Sequence, residues 1–192
     1  MPKVIEEEMN KGRIFYSMKI RHINKYDDVN GFWGVAVSVW FQGCPHMCNQ
    51  CFNPETWDRY DSSVVDRTLE DVSSEVLSEI NKYYPKTLSI LGGDPLAEYN
   101  RNDCLELLKA IKISQPNIKT ALWTGYKWNE IKNLEVIKYI DIIVDGEFKI
   151  ELKNEKLKHK GSSNQRVINA PLSIKENKVI EVNGLGGWYK NK

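Results

Sequence analysis

Four short runs of β-branched and aromatic residues, each stopped by a turn-forming cluster, constrain this chain more than any other feature. They are 35–41 (VAVSVWF), 87–91 (TLSIL), 119–123 (KTALW) and 141–144 (DIIV). Runs of this length and composition read as buried strands. Helical spacing fills the intervals between them. Leu69, Val72, Val76, Leu77 and Ile80 recur on one helical face, with Thr68 and Asp71 set as a capping box before them and Tyr84-Pro85 as a stop after them. Cys104, Leu105, Leu107, Leu108 and Ile111 mark the apolar side of a second helix, and a shorter one is expected over 128–132. Residues 14–20 form one further short strand in this reading. Strands that alternate with helices imply an α/β fold with a parallel sheet of βα units.

In such sheets, sites form from the loops at the carboxyl ends of the strands. The loops here are Gln42-Gly43-Cys44-Pro45, Gly92-Gly93-Asp94-Pro95, Thr124-Gly125-Tyr126 and Asp145-Gly146. Parallel strands would bring all four to one rim. Residues 149–160, with five lysines and two glutamates, read as a solvated surface segment. Residues 161–169 read as a polar turn leading into a short strand. The glycine-rich tail, 184–192, carries Trp188 and Tyr189, expected to clasp onto the core.

The chain has 192 residues, enough for about one domain and for burial of roughly 70% of the unfolded surface. Apolar residues at 41% and charged residues at 28% give a globular balance. Lys and Arg number 27 against 26 Asp and Glu, which argues against a dedicated nucleic-acid binder. No apolar run approaches the roughly 20 residues of a membrane helix, and residues 1–13 have no secretory core, so a cytoplasmic protein without membrane partners is expected. Four cysteines are too few for a disulfide scaffold.

Three of those cysteines fall within eight residues, Cys44-Pro45-His46-Met47-Cys48-Asn49-Gln50-Cys51. A C-x3-C-x2-C loop is too tight for comfortable disulfides and suits three thiolates on one metal centre. A single zinc ion would want a fourth ligand, with His46 nearest; a four-iron cluster would leave one iron without a cysteine. Cys104 lies on an apolar helical side and reads as a small buried hydrophobe rather than a ligand. Spacing alone leaves the metal open. An electron-transfer iron–sulfur protein and a zinc-stabilised binding module are the rivals from other classes, and both leave the Gly92 and Thr124 loops unexplained.

The C-x3-C-x2-C spacing resembles the signature of the radical S-adenosylmethionine enzymes. The longer stretch from Gly43 to Trp57 is similar to the cluster loop of the glycyl-radical activating enzymes, and within them to the activases of anaerobic (class III) ribonucleotide reductases. Asp28-Val29-Asn30-Gly31, Gly92-Gly93-Asp94-Pro95-Leu96, Trp123-Thr124-Gly125-Tyr126-Lys127, Val144-Asp145-Gly146-Glu147-Phe148 and the stretch from Gly161 to Val167 agree in order. The last of these favours the reductase activases over activases of a formate lyase. The motifs occupy about 28–168 of a single radical SAM domain spanning 1–192, with extensions at 1–27 and 169–192. The sequence departs from the family pattern in the Phe32-Trp33 insertion between Gly31 and Gly34, at Trp40, and at Gln50, where much of the superfamily has an aromatic residue.

The resemblance implies a partial, open (β/α) barrel. It implies that Cys44, Cys48 and Cys51 bind three irons of a 4Fe-4S cluster whose open iron takes S-adenosyl-L-methionine (SAM). Gly92, Gly93 and Asp94 would hold the methionine end, Thr124 and Gly125 the carboxylate or ribose, and Gln50 and Phe52 the adenosyl side. Asp145 is a candidate for a hydrogen bond to the cofactor or for a cap on the next segment, and His46 for a hydrogen bond to a cluster sulfur. The implied activity is reductive cleavage of SAM to a 5′-deoxyadenosyl radical that abstracts a glycine Cα hydrogen from the large anaerobic reductase subunit. Cofactor and cluster carry that chemistry, so no protein general base is expected. A low-potential electron donor, such as a flavodoxin-like protein, is the other implied partner.

Overall fold

All four expected strands form, and they lie side by side. The computed structural model describes residues 17–82 and 87–182. The strands are β1 (Ser17–Asp27), β2 (Ala36–Phe41), β3 (Asp66–Thr68), β4 (Thr87–Gly92), β5 (Thr120–Trp123), β6 (Ile142–Asp145) and β7 (Arg166–Asn169). They make one open sheet in the order β3-β1-β2-β4-β5-β6-β7. The helices are α1 (Leu69–Lys82), α2 (Arg101–Ser114), α3 (Trp128–Ile131) and α4 (Ala170–Lys175), with 3₁₀ turns at Pro54–Thr56, Glu135–Tyr139 and Ile150–Leu152. The expected stop at Tyr84-Pro85, residues 14–16 of the first expected strand, and the Trp188-Tyr189 clasp lie outside the described residues.

The sheet is mixed where an all-parallel one was expected. β2, β4, β5 and β6 are parallel, whereas β1 runs antiparallel to β2, β3 to β1, and β7 to β6. The cause is connection length and type. Residues 28–35, between β1 and β2, are fewer than the dozen or so that a parallel crossover needs. Between β6 and β7 the chain forms only the turn at Ile150–Leu152 and no α-helix. The parallel pairs are those bridged by α1, by α2, and by α3 with its following 3₁₀ turn.

Helices α1 and α2 cover one face of the sheet. Val72, Val76, Leu107, Leu108 and Ile111 are fully buried there against Val37, Val39, Phe41, Leu88, Ile90 and Leu122. Each contributes about 1.5–3 kcal/mol on burial. The start of α1 is tied by Thr68, whose Oγ1 accepts the Asp71 N–H at 3.1 Å, one half of the expected box. A second, smaller cluster joins Phe32 to Ala121, Ile142 and Val144. Phe32 also stacks on His159 at 3.9 Å, which anchors the end of the mostly exposed lysine-rich segment.

Register then fixes the rim. Phe41 pairs with Gly92, Ile90 with Leu122, and Trp123 with Val144. The same register carried onward sets Gly92, Thr124 and Asp145 level. All four chemistry-bearing loops therefore leave the sheet at one end.

Candidate metal centre

The cysteine loop is stitched shut by backbone bonds before any metal is considered. Gly43 leaves β2 at φ +96°, a conformation that glycine adopts without penalty. Its N–H donates to Thr56 O at 2.8 Å, and the Cys44 N–H donates to Trp57 O at 3.0 Å. The buried Gln42 amide donates to Glu55 O at 3.0 Å and to Asp58 O at 2.7 Å. Both ends of the loop are thus held together at its base. Cys44, Cys48 and Cys51 are unpaired, partly exposed, and line one cavity.

The facing wall comes from the other strand ends. Gly92, Gly93 and Asp94 follow β4, Thr124 and Gly125 follow β5, and all five line the same cavity as the cysteines. The glycines are needed for protein–protein approach. A Cβ on Gly93 would run into the Gly43 carbonyl, and one on Gly125 into the His46 ring. Gly93 N–H donates to Phe41 O at 2.7 Å and Asp94 N–H to Gly43 O at 2.8 Å. Asn100, fully buried, fastens the two loops further, donating to Gln42 O at 3.1 Å and to Asp94 O at 2.9 Å. Its place before α2 suggests an N-cap, yet its side chain makes no capping bond. Sequence pattern gave no sign of that tethering role.

Asp94 is 1% exposed and accepts from several donors. Thr124 Oγ1 and Gly125 N–H reach it at 2.9 Å, Leu96 N–H at 2.8 Å, and His46 Nε2 lies at 2.8 Å. His46 Nδ1 faces Glu147 at 3.3 Å. Burial works against a charged His46, but the bond to Asp94 and the charges of Asp94 and Glu147 outweigh it and raise its pKa above the ordinary value. Burial pushes the Cys44 thiol up to about 11, against the backbone N–H groups of His46 and Met47 that favour its thiolate. The Cys48 thiol is raised by burial too, opposed by the Phe148 N–H. Thiolates there call for the positive charge of bound metal.

The remaining candidates divide. Asp145 caps α3 by accepting the Trp128 N–H at 2.8 Å and forms a two-pronged ion pair with Arg166, so its carboxylate is occupied within the protein. Gln50, at φ +56°, and Phe52, 60% exposed, lie on the cysteine loop outside the cavity wall. Phe52 packs at 5.1 Å on Phe148, under the Lys153 ammonium. Cys104 is buried in the helix-covered core, where burial raises its thiol pKa. Trp57, Phe148 and Gln165 also wall the cavity; they lie within the quoted motifs, whose pattern alone assigns them no role.

Residues 29–168 match the family model of the 4Fe-4S single cluster domain. The anaerobic ribonucleoside-triphosphate reductase-activating protein of Enterobacteria phage T4 is 38% identical over 150 residues, covering 78% of this chain and 93% of the phage protein. The chain belongs to this family. Activating proteins of the same name from Escherichia coli K12 and Salmonella typhimurium LT2 are 34% identical over 145 residues and 32% over 154. These cover 73% and 78% of this chain, and 92% and 97% of the relatives.

Membership decides what spacing left open, iron–sulfur rather than zinc. The family's cluster also fits the residues present. Among the described residues no three His, Cys, Asp or Glu side chains are grouped around a single ion. A cluster binds each thiolate through a different iron and needs no such convergence. The cavity further holds a residue, Trp57, whose buried indole nitrogen has no protein partner.

Proposed function

We propose that this activating protein is a radical SAM enzyme that installs a glycyl radical on an anaerobic ribonucleotide reductase. One observation carries the reading: three free thiols and the Asp94–Thr124–Gly125 carboxylate site line a single cavity at the carboxyl rim of four parallel strands. The sheet is then the partial, open (β/α) barrel of that superfamily. Bound together, cluster and SAM supply one-electron cleavage of a sulfonium carbon–sulfur bond and a 5′-deoxyadenosyl radical able to take hydrogen from a glycine Cα.

The protein's part is to bind, orient and exclude water. Cys44, Cys48 and Cys51 would hold three irons of the cluster. Asp94, kept in one orientation by Thr124, Gly125 and Leu96, would receive the methionine ammonium at the oxygen that His46 occupies here, a charge-assisted bond. The backbone at Gly92 and Gly93 would lie along the methionine chain, and Thr124 with Gly125 would meet its carboxylate or the ribose. Gln50 and Phe52 contribute from the cysteine loop on the adenosyl side. Beside the cavity lies a polar cleft of about 940 Å³, lined by Tyr126, Lys127, Lys149 and Asn164 and sharing His46, Gly125 and Gly146 with the cavity. A glycine-bearing segment of the reductase fits a cleft of this size and polarity. Electrons come from a low-potential, flavodoxin-like donor. The setting is the cytoplasm; no helix among the described residues is long and apolar enough to cross a membrane.

The test is 5′-deoxyadenosine formation by protein reconstituted anaerobically with iron and sulfide, then given dithionite and SAM. The expected result is product from the wild type and none from Cys48→Ala. A reducible cluster without product would favour electron transfer instead. With an anaerobic ribonucleotide reductase added, the same mixture should generate an organic radical signal on that partner.

A further inference from the structure

The surface beside the cysteine loop is basic and apolar at once. Residues 149–160 carry five lysines and two glutamates, a surplus of three positive charges in a chain whose whole excess is one. The segment is mostly exposed, yet it is pinned. Asn154 N–H donates to Gly161 O at 3.1 Å, Ser163 N–H donates to Leu152 O at 2.9 Å, and the His159 carbonyl accepts the Trp123 indole N–H at 2.7 Å. Lys153 pairs with Glu155 at 2.9 Å, and Lys160 donates to Gln165 O at 2.8 Å. Lys156 and Lys158 are exposed and form no ion pair among the described residues.

Two contacts tie this charge to the cysteines. The Phe148 N–H, one residue before the segment, favours the Cys48 thiolate. Phe52 directly follows Cys51, and its ring lies 5.1 Å from that of Phe148 and 5.4 Å from the Lys153 ammonium. Phe52 and Met47 are each 60% exposed and Leu152 is exposed too, so apolar side chains face solvent beside the lysines. Interfaces combine an apolar centre with a polar rim, and charge on the rim steers a partner of opposite sign. The partner this surface fits is therefore acidic. Phe52, Lys153, Lys156 and Lys158 line neither the cysteine cavity nor the polar cleft, where a glycine substrate must reach. A carrier seated on Phe52 stands one residue from Cys51, a short path for an electron into a cluster held by the cysteines.

We propose that Phe52, Met47 and the lysine segment 149–160 form the docking surface for an acidic one-electron carrier protein of the flavodoxin type. This rests on the iron–sulfur reading of the site. In the step, the carrier is oxidised by one electron and the cluster is reduced by the same one, and no bond forms or breaks. The lysines speed the encounter, and the apolar patch seats the carrier.

The experiment uses full-length protein reconstituted anaerobically with iron and sulfide, mixed in stopped flow with a photoreduced acidic flavodoxin and followed at the cluster absorbance. Dithionite is the comparison, a small reductant that needs no docking. The double variant Lys156→Glu, Lys158→Glu turns the segment's charge negative. Lys175→Glu, Lys178→Glu makes the same change at α4 and just after it, at the opposite end of the sheet from the cysteine loop. The expected result at low salt is second-order reduction by flavodoxin slowed by about tenfold or more in the first variant and little changed in the second, since steering charges alter on-rates by about 10–1,000-fold. Flavodoxin affinity, read by titration calorimetry, should fall in the first variant as well. The wild-type rate should fall as salt rises, and the first variant should lose that dependence. Reduction by dithionite should be alike in all three. A flavodoxin rate unchanged in the first variant, or slowed equally in both, overturns the proposal. A wild-type rate indifferent to salt overturns it whatever the variants do. A first variant that keeps its flavodoxin rate and loses binding to the reductase assigns the surface to the reductase instead. A wild type that takes up no iron overturns the underlying reading and the proposal with it.

Discussion

His46 Nε2 sits 2.8 Å from Asp94 Oδ2, a side-chain bond that joins the loop after β2 to the loop after β4 within the cavity wall. Asp94 is oriented by Thr124, Gly125 and Leu96 at the same time, before any ligand arrives. Asp94→Asn keeps the shape, removes the charge and turns one acceptor into a donor facing other donors. Loss of a buried charged acceptor should lower stability by about 1–3 kcal/mol, read from urea midpoints. SAM affinity of the reconstituted protein should fall by about tenfold or more in equilibrium dialysis, since a hydrogen bond to a charged group contributes about 1.5–3 kcal/mol. Unchanged affinity would remove Asp94 from the cofactor's site.

His46 occupies an Asp94 oxygen that an incoming ammonium would also seek. His46→Ala removes this competitor and leaves the Thr124, Gly125 and Leu96 donors in place. Stability of the metal-free protein should drop by about 1.5–3 kcal/mol, a hydrogen bond to a charged group. SAM binding should hold or tighten. If His46→Ala weakens SAM binding as Asp94→Asn does, the ring belongs to the binding surface and does not compete for it.

The four cysteines should separate cleanly by iron content. Cys44→Ala, Cys48→Ala and Cys51→Ala each remove a thiol from the cavity wall and should lose most bound iron and the visible cluster absorbance. Cys104 lies with α2 in the core at 0% exposure. Cys104→Ala should keep full iron and lose only about 1 kcal/mol by removing a small buried side chain. Iron loss in Cys104→Ala with the fold intact would make it a ligand.

The parts of this fold legible in the sequence are those where one residue type does one job over several positions. Val37, Val39 and Phe41 alternate toward the helices, and Val72, Val76 and Ile80 recur at helical spacing, so β2 and α1 show themselves. β3 has three residues, and only its pairing with β1 makes it a strand. The antiparallel course of β1 and β7 depends on connection geometry that no side-chain pattern encodes. α4 did leave signs: Asn169 accepts the Leu172 N–H at 3.0 Å, and a proline stands in its first turn. At the site, thiol spacing marks out the three cysteines that line one cavity. What Asn100 and Asp145 do depends on atoms brought in from distant loops. Asp145 shows the limit best, because a strand-end aspartate reads the same whether it faces a ligand or, as here, Arg166 and the Trp128 N–H.

Asp103 makes the stability of this protein depend on pH in the direction opposite to an ordinary paired carboxylate. It lies in the first turn of α2 with 9% of its surface exposed. Burial lifts its pKa from 3.8 to about 6, against the pull of the Arg59 charge and with a small push from Asp66. Below the unfolded value both states hold the proton and no penalty exists. Between that value and about 6 the unfolded chain releases its proton first, so stability falls as pH rises. Above about 6 the loss is complete, at roughly 2–3 kcal/mol for a shift of this size. Asp103→Asn should therefore be more stable than the wild type at pH about 7.5 by an amount of that order, and the advantage should shrink toward nothing near pH 3.5. Urea unfolding of both proteins across this range reads the difference directly. A difference that does not change with pH would mean that Asp103 ionises alike in the folded and unfolded chain.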